Sequence, residues 1–284
     1  MNHSAAEGSQ GADRPIGVFD SGVGGLSVLN ALRAELPHER FAYFADTAHA
    51  PYGERGDDFV ARRTTTIARH LLAEHRIKAL VVACNTATAA AIHQLRAEHP
   101  TLPVVGVEPA LKPAVASSRT GHIAVIATRV TLESRKFHAL HASLAARATF
   151  SIVPCDGLAG AIERSDTDRI AALCEKYLGA AGRFGDAPGQ IDTLVLGCTH
   201  YPFVAGDLRR WTGDAVRFID TGAPVAQQTR RLLLAAGQLA TGGPGQIQLL
   251  TSGEPASLDE AAARWVRGPV VPAVRAWTAD TPAP

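Results

Sequence analysis

The 284-residue chain is short of several things, and each shortage excludes a class of protein. Its 4 cysteines, at 84, 155, 174 and 198, are too few and too scattered for a disulfide scaffold and fit a reducing cytoplasm. No apolar run approaches the length of about 18 residues that a membrane span needs. The opening residues MNHSAAEGSQGADR are polar and lack the apolar stretch of an export signal, so a cytoplasmic location is expected. Neither charge is in surplus: 28 Lys and Arg stand against 27 Asp and Glu, whereas a dedicated nucleic-acid binder carries a basic excess. Paired metal-ligand spacings such as C-x-x-C or H-E-x-x-H do not occur, so no metal is expected. Lysine is scarce too. None of Lys78, Lys112, Lys136 and Lys176 ends a strand beside the motifs below, which leaves no Schiff-base residue for a pyridoxal group and favours chemistry without a cofactor.

What is present is a globular composition. Hydrophobic residues make up 46% and charged residues 19%, enough for a core and unlike a disordered chain. At roughly 150 residues per domain the length allows one large domain or two. Short apolar runs at 16–20, 41–45, 79–84, 104–107, 123–127, 150–153, 193–198, 216–219 and 248–251 read as strands. Helical stretches lie between them, among them 27–35, 57–74, 87–99, 131–146, 166–181 and 224–236. Alternation of this kind predicts an α/β fold with parallel sheets covered on both faces.

The chain also echoes itself. ALVVACNTA at 79–87 matches TLVLGCTHY at 193–201, each an apolar strand closed by cysteine and small polar residues. IGVFDSGVGG has a counterpart in IAVIATRVT, and VVGVEPA one in FIDTGAP, in the same order. Any α/β repeat would match apolar strands; matched cysteines need more than that. In open α/β sheets ligands bind beyond the carboxyl ends of strands, so residues just after strands are the candidates. Asp20 and Ser21 open a glycine-rich turn that fits neither a dinucleotide nor a Walker phosphate loop and suits a zwitterion, with its ammonium on Asp20. Tyr52 and Gly53 lie in a Pro-Tyr-Gly turn expected to present a phenolic hydroxyl and backbone donors. Cys84 precedes Asn85, Thr86 and a helix whose N-terminus favours thiolate. Cys198 precedes Thr199 and His200, and the imidazole is close enough in sequence to exchange a proton with the thiol. Cys174 reads as core, and Cys155 follows a strand without an evident role.

A Cys–His hydrolase would use one of the matched thiols, and a redox pair usually has C-x-x-C spacing. Two opposed acid/base groups use both: one thiolate removes a proton from carbon while the other thiol returns one to the opposite face, inverting a stereocentre. The segments DSGVGG, ADTAHAPYG, ACNTATA, GCTHYPF and FIDTGAP, spread over most of the chain, together resemble the cofactor-independent aspartate/glutamate racemase family and, within it, the bacterial glutamate racemases.

That resemblance implies two similar parallel-sheet α/β domains related by a pseudo-twofold axis, with the active site at their interface. Residues 14–108 with 220–278 would form the first domain and 109–219 the second, with flexible tails at 1–13 and 279–284. It implies Cys84 and Cys198 as the two acid/bases, the first acting on D- and the second on L-glutamate, with Asp20 and His200 assisting. Asp20, Ser21, Tyr52, Gly53, Asn85, Thr86, Thr199 and His200 would bind substrate. The product would feed peptidoglycan synthesis, and the partner would be glutamate alone, without membrane or nucleic acid, in a possible homodimer. The sequence departs from the family in two places. ATRVTLESRKF replaces GTxxTxxSxxY, keeping Thr128 and Thr131. VPCDG replaces VPLxE, so the acid supporting the second cysteine is expected elsewhere, with Asp156 and Glu163 the candidates. A racemase of another small acid such as aspartate would keep the cysteines and change the side-chain pocket. A non-catalytic amino-acid-binding protein would leave both thiols inert.

Overall fold

The structure, a computed structural model, describes residues 12–275. The expected tails at 1–13 and 279–284 lie outside these residues except for Ala12 and Asp13. The described chain divides into two compact units, one reaching to Val107 and resuming at Gly222, the other spanning Glu108–Thr221.

In chain order the first unit contains β1 (Ile16–Asp20), α1 (Leu26–Glu35), β2 (Phe41–Ala45), α2 (Asp57–His75), β3 (Ala79–Val82), α3 (Asn85–Glu98) and β4 (Val104–Gly106). The second contains α4 (Leu111–Ser117), β5 (His122–Ala127), α5 (Arg129–Glu133), α6 (Arg135–Ala142), β6 (Thr149–Pro154), α7 (Leu158–Glu163), α8 (Thr167–Ala181), β7 (Thr193–Leu196), α9 (Ala205–Thr212) and β8 (Arg217–Ile219). The first unit is then completed by α10 (Gly222–Ala235), β9 (Ile247–Thr251), α11 (Pro255–Trp265) and β10 (Val271–Arg275).

The first sheet runs β10-β9-β2-β1-β3-β4 and the second β6-β5-β7-β8. All paired strands are parallel. Without β9 and β10, the two sheets have one strand order, so β3 and β7 are equivalent. The sequence echo therefore has a topological counterpart. Strands β1, β2 and β3 are buried at every position, as parallel strands with covered faces require. Phe19, Phe44, Ile67, Leu71 and Leu80 anchor the first core; Leu111, Ile123, Val125, Phe137 and Val195 anchor the second. Burial of each such side chain is worth about 1.5–3 kcal/mol.

Three expectations change. The strands expected to run into Cys84 and Cys198 stop two residues short of each cysteine. The Ala83 and Gly197 amides still bond back to the neighbouring strand, at Phe19 O and Ile126 O, and the chain then turns away. The single helix expected over 131–146 is broken at Ser134, whose backbone is extended and whose hydroxyl caps α6 by accepting from the Phe137 amide. Serine bonding to nearby backbone competes with helix continuation. Finally, β10 was not anticipated. It carries Pro272, which reads as a breaker, and a proline is tolerated at this outermost position of the sheet.

Candidate active site

The residues singled out from sequence fall into two half-sites. Asp20, Ser21, Tyr52, Gly53, Cys84, Asn85 and Thr86 belong to the first unit; Cys198, Thr199 and His200 belong to the second.

In the first half-site, Asp20 ends β1, and Cys84 lies between β3 and α3. Cys84 is the N-cap of the 14-residue α3, where its sulfur accepts the Ala87 amide at 3.5 Å. Its thiol donates to the Ser21 hydroxyl at 3.6 Å, and that hydroxyl donates to Asp20 Oδ1 at 3.0 Å. A relay of thiol, hydroxyl and carboxylate results. Burial, reinforced by the Asp20 charge, pushes the Cys84 thiol up to about 12, against the pull of the Ala87 amide and Ser21. The loop after β1 is pinned by Tyr43, whose hydroxyl donates to Gly22 O at 2.8 Å. Gly25 is required here by space: a Cβ would lie 2.7 Å from Asp20 Cβ and 3.0 Å from the Tyr43 hydroxyl. Asn85 and Thr86 are both buried in the first turn of α3. Among the described residues nothing hydrogen-bonds to Asn85 Oδ1.

Tyr52 differs from expectation. Its ring is buried and its hydroxyl donates to Asp46 at 2.5 Å, so the phenol is not presented as a free donor. Burial and the Asp46 charge both raise its pKa, which keeps it protonated. Within the turn the Tyr52 carbonyl accepts from the Arg55 amide at 3.0 Å.

In the second half-site, Cys198 follows β7 and is succeeded by a short 3-10 turn, Tyr201–Val204, ahead of α9. Its sulfur lies 3.6 Å from His200 Nδ1, and His200 Nε2 lies 2.9 Å from Glu163 Oε1. Burial works to lower the imidazole, but hydrogen bonds to Cys198 and Glu163 and their charges overcome it and raise His200 well above its ordinary value. Gly197 permits the close packing of this turn: a Cβ would sit 2.8 Å from Ala127 Cβ and 2.9 Å from Ile126 O. The Thr128 and Thr131 hydroxyls meet at 2.9 Å just after β5.

Of the two candidate acids, Glu163 at the end of α7 is the one that reaches the histidine. Asp156 is half exposed and pairs with Arg129 instead. Cys155 is buried with its thiol directed at Val153 O, and Cys174 is buried on α8; burial raises both thiols, Cys174 to about 11. Among the described residues no group of three or more His, Cys, Asp and Glu side chains could hold a metal ion. Lys78 precedes β3, at the opposite end from Cys84, and is ion-paired with Glu39; Lys136 is paired with Glu108.

Residues 25–229 match the Asp/Glu/Hydantoin racemase family. A glutamate racemase of Ralstonia nicotianae is 47% identical over 245 residues, 86% of each chain. The crystal structure of a Bacillus anthracis glutamate racemase isoform superposes with a TM-score of 0.78 at 32% identity, covering 89% of this chain and 93% of that one. An Escherichia coli glutamate racemase, solved with L-glutamate and an activator, superposes with a TM-score of 0.76 at 28% identity, covering 92% and 98%.

Proposed function

The chain belongs to the Asp/Glu/Hydantoin racemase family, and from that premise we propose how it interconverts L- and D-glutamate: Cys84 and Cys198 exchange the Cα proton on opposite faces, each through its own relay. It is an isomerase, and its product serves peptidoglycan synthesis and thereby the cell wall and cell shape. The observation that carries the mechanism is topological. Both thiols follow the equivalent strand of their sheets, and each is joined to a carboxylate through one intervening side chain.

With L-glutamate, Cys198 takes the α-proton and Cys84 delivers one to the other face; with D-glutamate the roles reverse. Burial keeps Cys84 a thiol at neutral pH, the form that donates. To act as base it passes its proton toward Asp20 by way of Ser21. Cys198 lies beside His200, whose imidazolium Glu163 stabilises. Positioned acid/base groups of this kind contribute typically about 10²–10⁴-fold. The substrate ammonium, bound by Asp20, offsets charge on the carbanion. Ser21, Asn85, Thr86, Thr199, His200 and the backbone at Tyr52 and Gly53 supply the remaining contacts.

No helix among the described residues is long and apolar enough to cross a membrane. A cytoplasmic location is supported by four free thiols, and a homodimer by family resemblance, which sedimentation tests. The direct test of function is circular dichroism of L-glutamate over time with reduced enzyme and no added cofactor. Decay of the signal to zero is expected; a constant signal, or faster turnover of aspartate, contradicts the proposal.

A further inference from the structure

Neither relay uses Asp46, the second carboxylate at the end of a central strand of the first sheet. Asp46 follows β2, its side chain is 0% exposed, and its amide donates to Asp20 O at 3.0 Å. Arg63 grips it from two sides, with Nη2 2.6 Å from Oδ1 and Nε 3.0 Å from Oδ2. The Tyr52 hydroxyl donates to Oδ2 as well, and His49 Nδ1 lies 3.0 Å from Oδ1. Burial works to raise the Asp46 carboxyl, but hydrogen bonds from Arg63, Tyr52 and Ser252 and the Arg63 charge hold it below its ordinary value. It is therefore a buried, ionised group. Removing a charge pair of this sort in favour of well-packed apolar side chains is often neutral for stability, so the pair invites another explanation.

The geometry supplies one. A two-pronged guanidinium fixes the plane of the carboxylate. The carboxylate fixes the phenol, and the ring is seated against Phe19 of β1 and Phe59 of α2. The phenol in turn fixes the backbone of the Tyr52–Glu54 turn. Because the Asp46 amide is bonded to Asp20 O, the turn and the acid at the end of β1 are held in one register.

We infer that the Arg63–Asp46–Tyr52 network is a positioning device for the substrate, setting the backbone of the Tyr52–Gly53 turn relative to Asp20. The inference rests on the reading above that this turn meets glutamate. Arg63, Asp46 and the Tyr52 hydroxyl touch no reacting atom; they act through the turn. A misplacement of about 1 Å in such a contact can cost up to about 10²-fold.

The test compares steady-state kinetics of the full chain with those of Tyr52→Phe, Arg63→Lys, Arg63→Met and Gly53→Pro, each normalised to folded enzyme. Tyr52→Phe removes only the hydroxyl. It is expected to raise KM for both enantiomers about 3–10-fold, and Arg63→Met more than about 10-fold, with kcat within about twofold. Arg63→Lys is expected to recover part of the loss, since it restores charge without the fork. KM unchanged in Tyr52→Phe and Arg63→Lys, with activity falling only with the folded fraction, overturns the inference. Gly53→Pro separates the two layers. If it raises KM while the network variants do not, the positioning role alone fails. If it too leaves KM unchanged, the turn is no substrate contact and both readings fall.

Discussion

The two half-sites occupy the same place in equivalent sheets and give their thiols different partners. In the first unit the thiol caps a 14-residue helix and reaches its carboxylate through a serine hydroxyl. In the second it is followed only by a 3-10 turn and reaches its carboxylate through an imidazole. A helix N-terminus lies at the sulfur in one; an imidazole held by Glu163 lies there in the other. The fold thus repeats the position of the thiol and surrounds it with different local residues. Cys84 rests as an acid, pushed up to about 12 by burial and Asp20. Beside Cys198, hydrogen bonds to Cys198 and Glu163 raise His200 well above its ordinary value.

The largest break in this comparison is removal of either thiol. Cys84→Ala and Cys198→Ala are each expected to lower racemisation by about 10³-fold or more while far-ultraviolet circular dichroism stays native. Unchanged turnover in either would refute the two-base pairing. Glu163→Gln acts on one half only. A fall of about 10–100-fold in kcat/KM is expected. It must be equal for both enantiomers, because their free energies are equal. Asymmetry should appear instead in the isotope effect, which rises with α-deuterated L-glutamate and falls with the D-enantiomer. An isotope effect that moves equally for both would mean that Glu163 is not specific to Cys198.

Next in size are the close approaches. Gly25→Ala and Gly197→Ala are each expected to cost about 1–3 kcal/mol by overpacking, read from urea midpoints. Gly25→Ala should also raise KM, because its Cβ meets Asp20 directly.

The smallest effect is a difference in pH response. Asp46 is lowered on folding, so the stability it contributes is present above an unfolded value of about 3.9 and is lost as pH falls through its folded value. His200 is raised, so its contribution is complete below about 6.5 and is lost as pH rises through its folded value. The melting-temperature gap between wild type and Asp46→Asn should therefore narrow on acidification. The gap for Glu163→Gln should narrow at high pH, in each case by about 2–4 °C per kcal/mol lost.

Much of this was legible in the sequence. The period and closing residues of the apolar runs located nine of the ten strands, and the paired cysteines singled out β3 and β7. What escaped depended on long-range contacts. The choice between Asp156 and Glu163 is one such case: both read as candidate acids, and only the packing of α7 brings Glu163 to His200. The Tyr52 hydroxyl reads from sequence as presented, because only the fold turns it onto Asp46. Arg63 did leave a trace. It lies between Val60 and Ile67, on the buried stripe of α2 where a charge needs a partner.

The most direct test of the central claim is deuterium uptake at Cα in D2O, followed by proton NMR for each enantiomer with each cysteine variant. Wild type should exchange and invert both. Cys84→Ala should place deuterium only in L-glutamate and Cys198→Ala only in D-glutamate, neither with inversion. Inversion by either variant, or uptake by each variant into both enantiomers, would contradict the assignment of one thiol to each face.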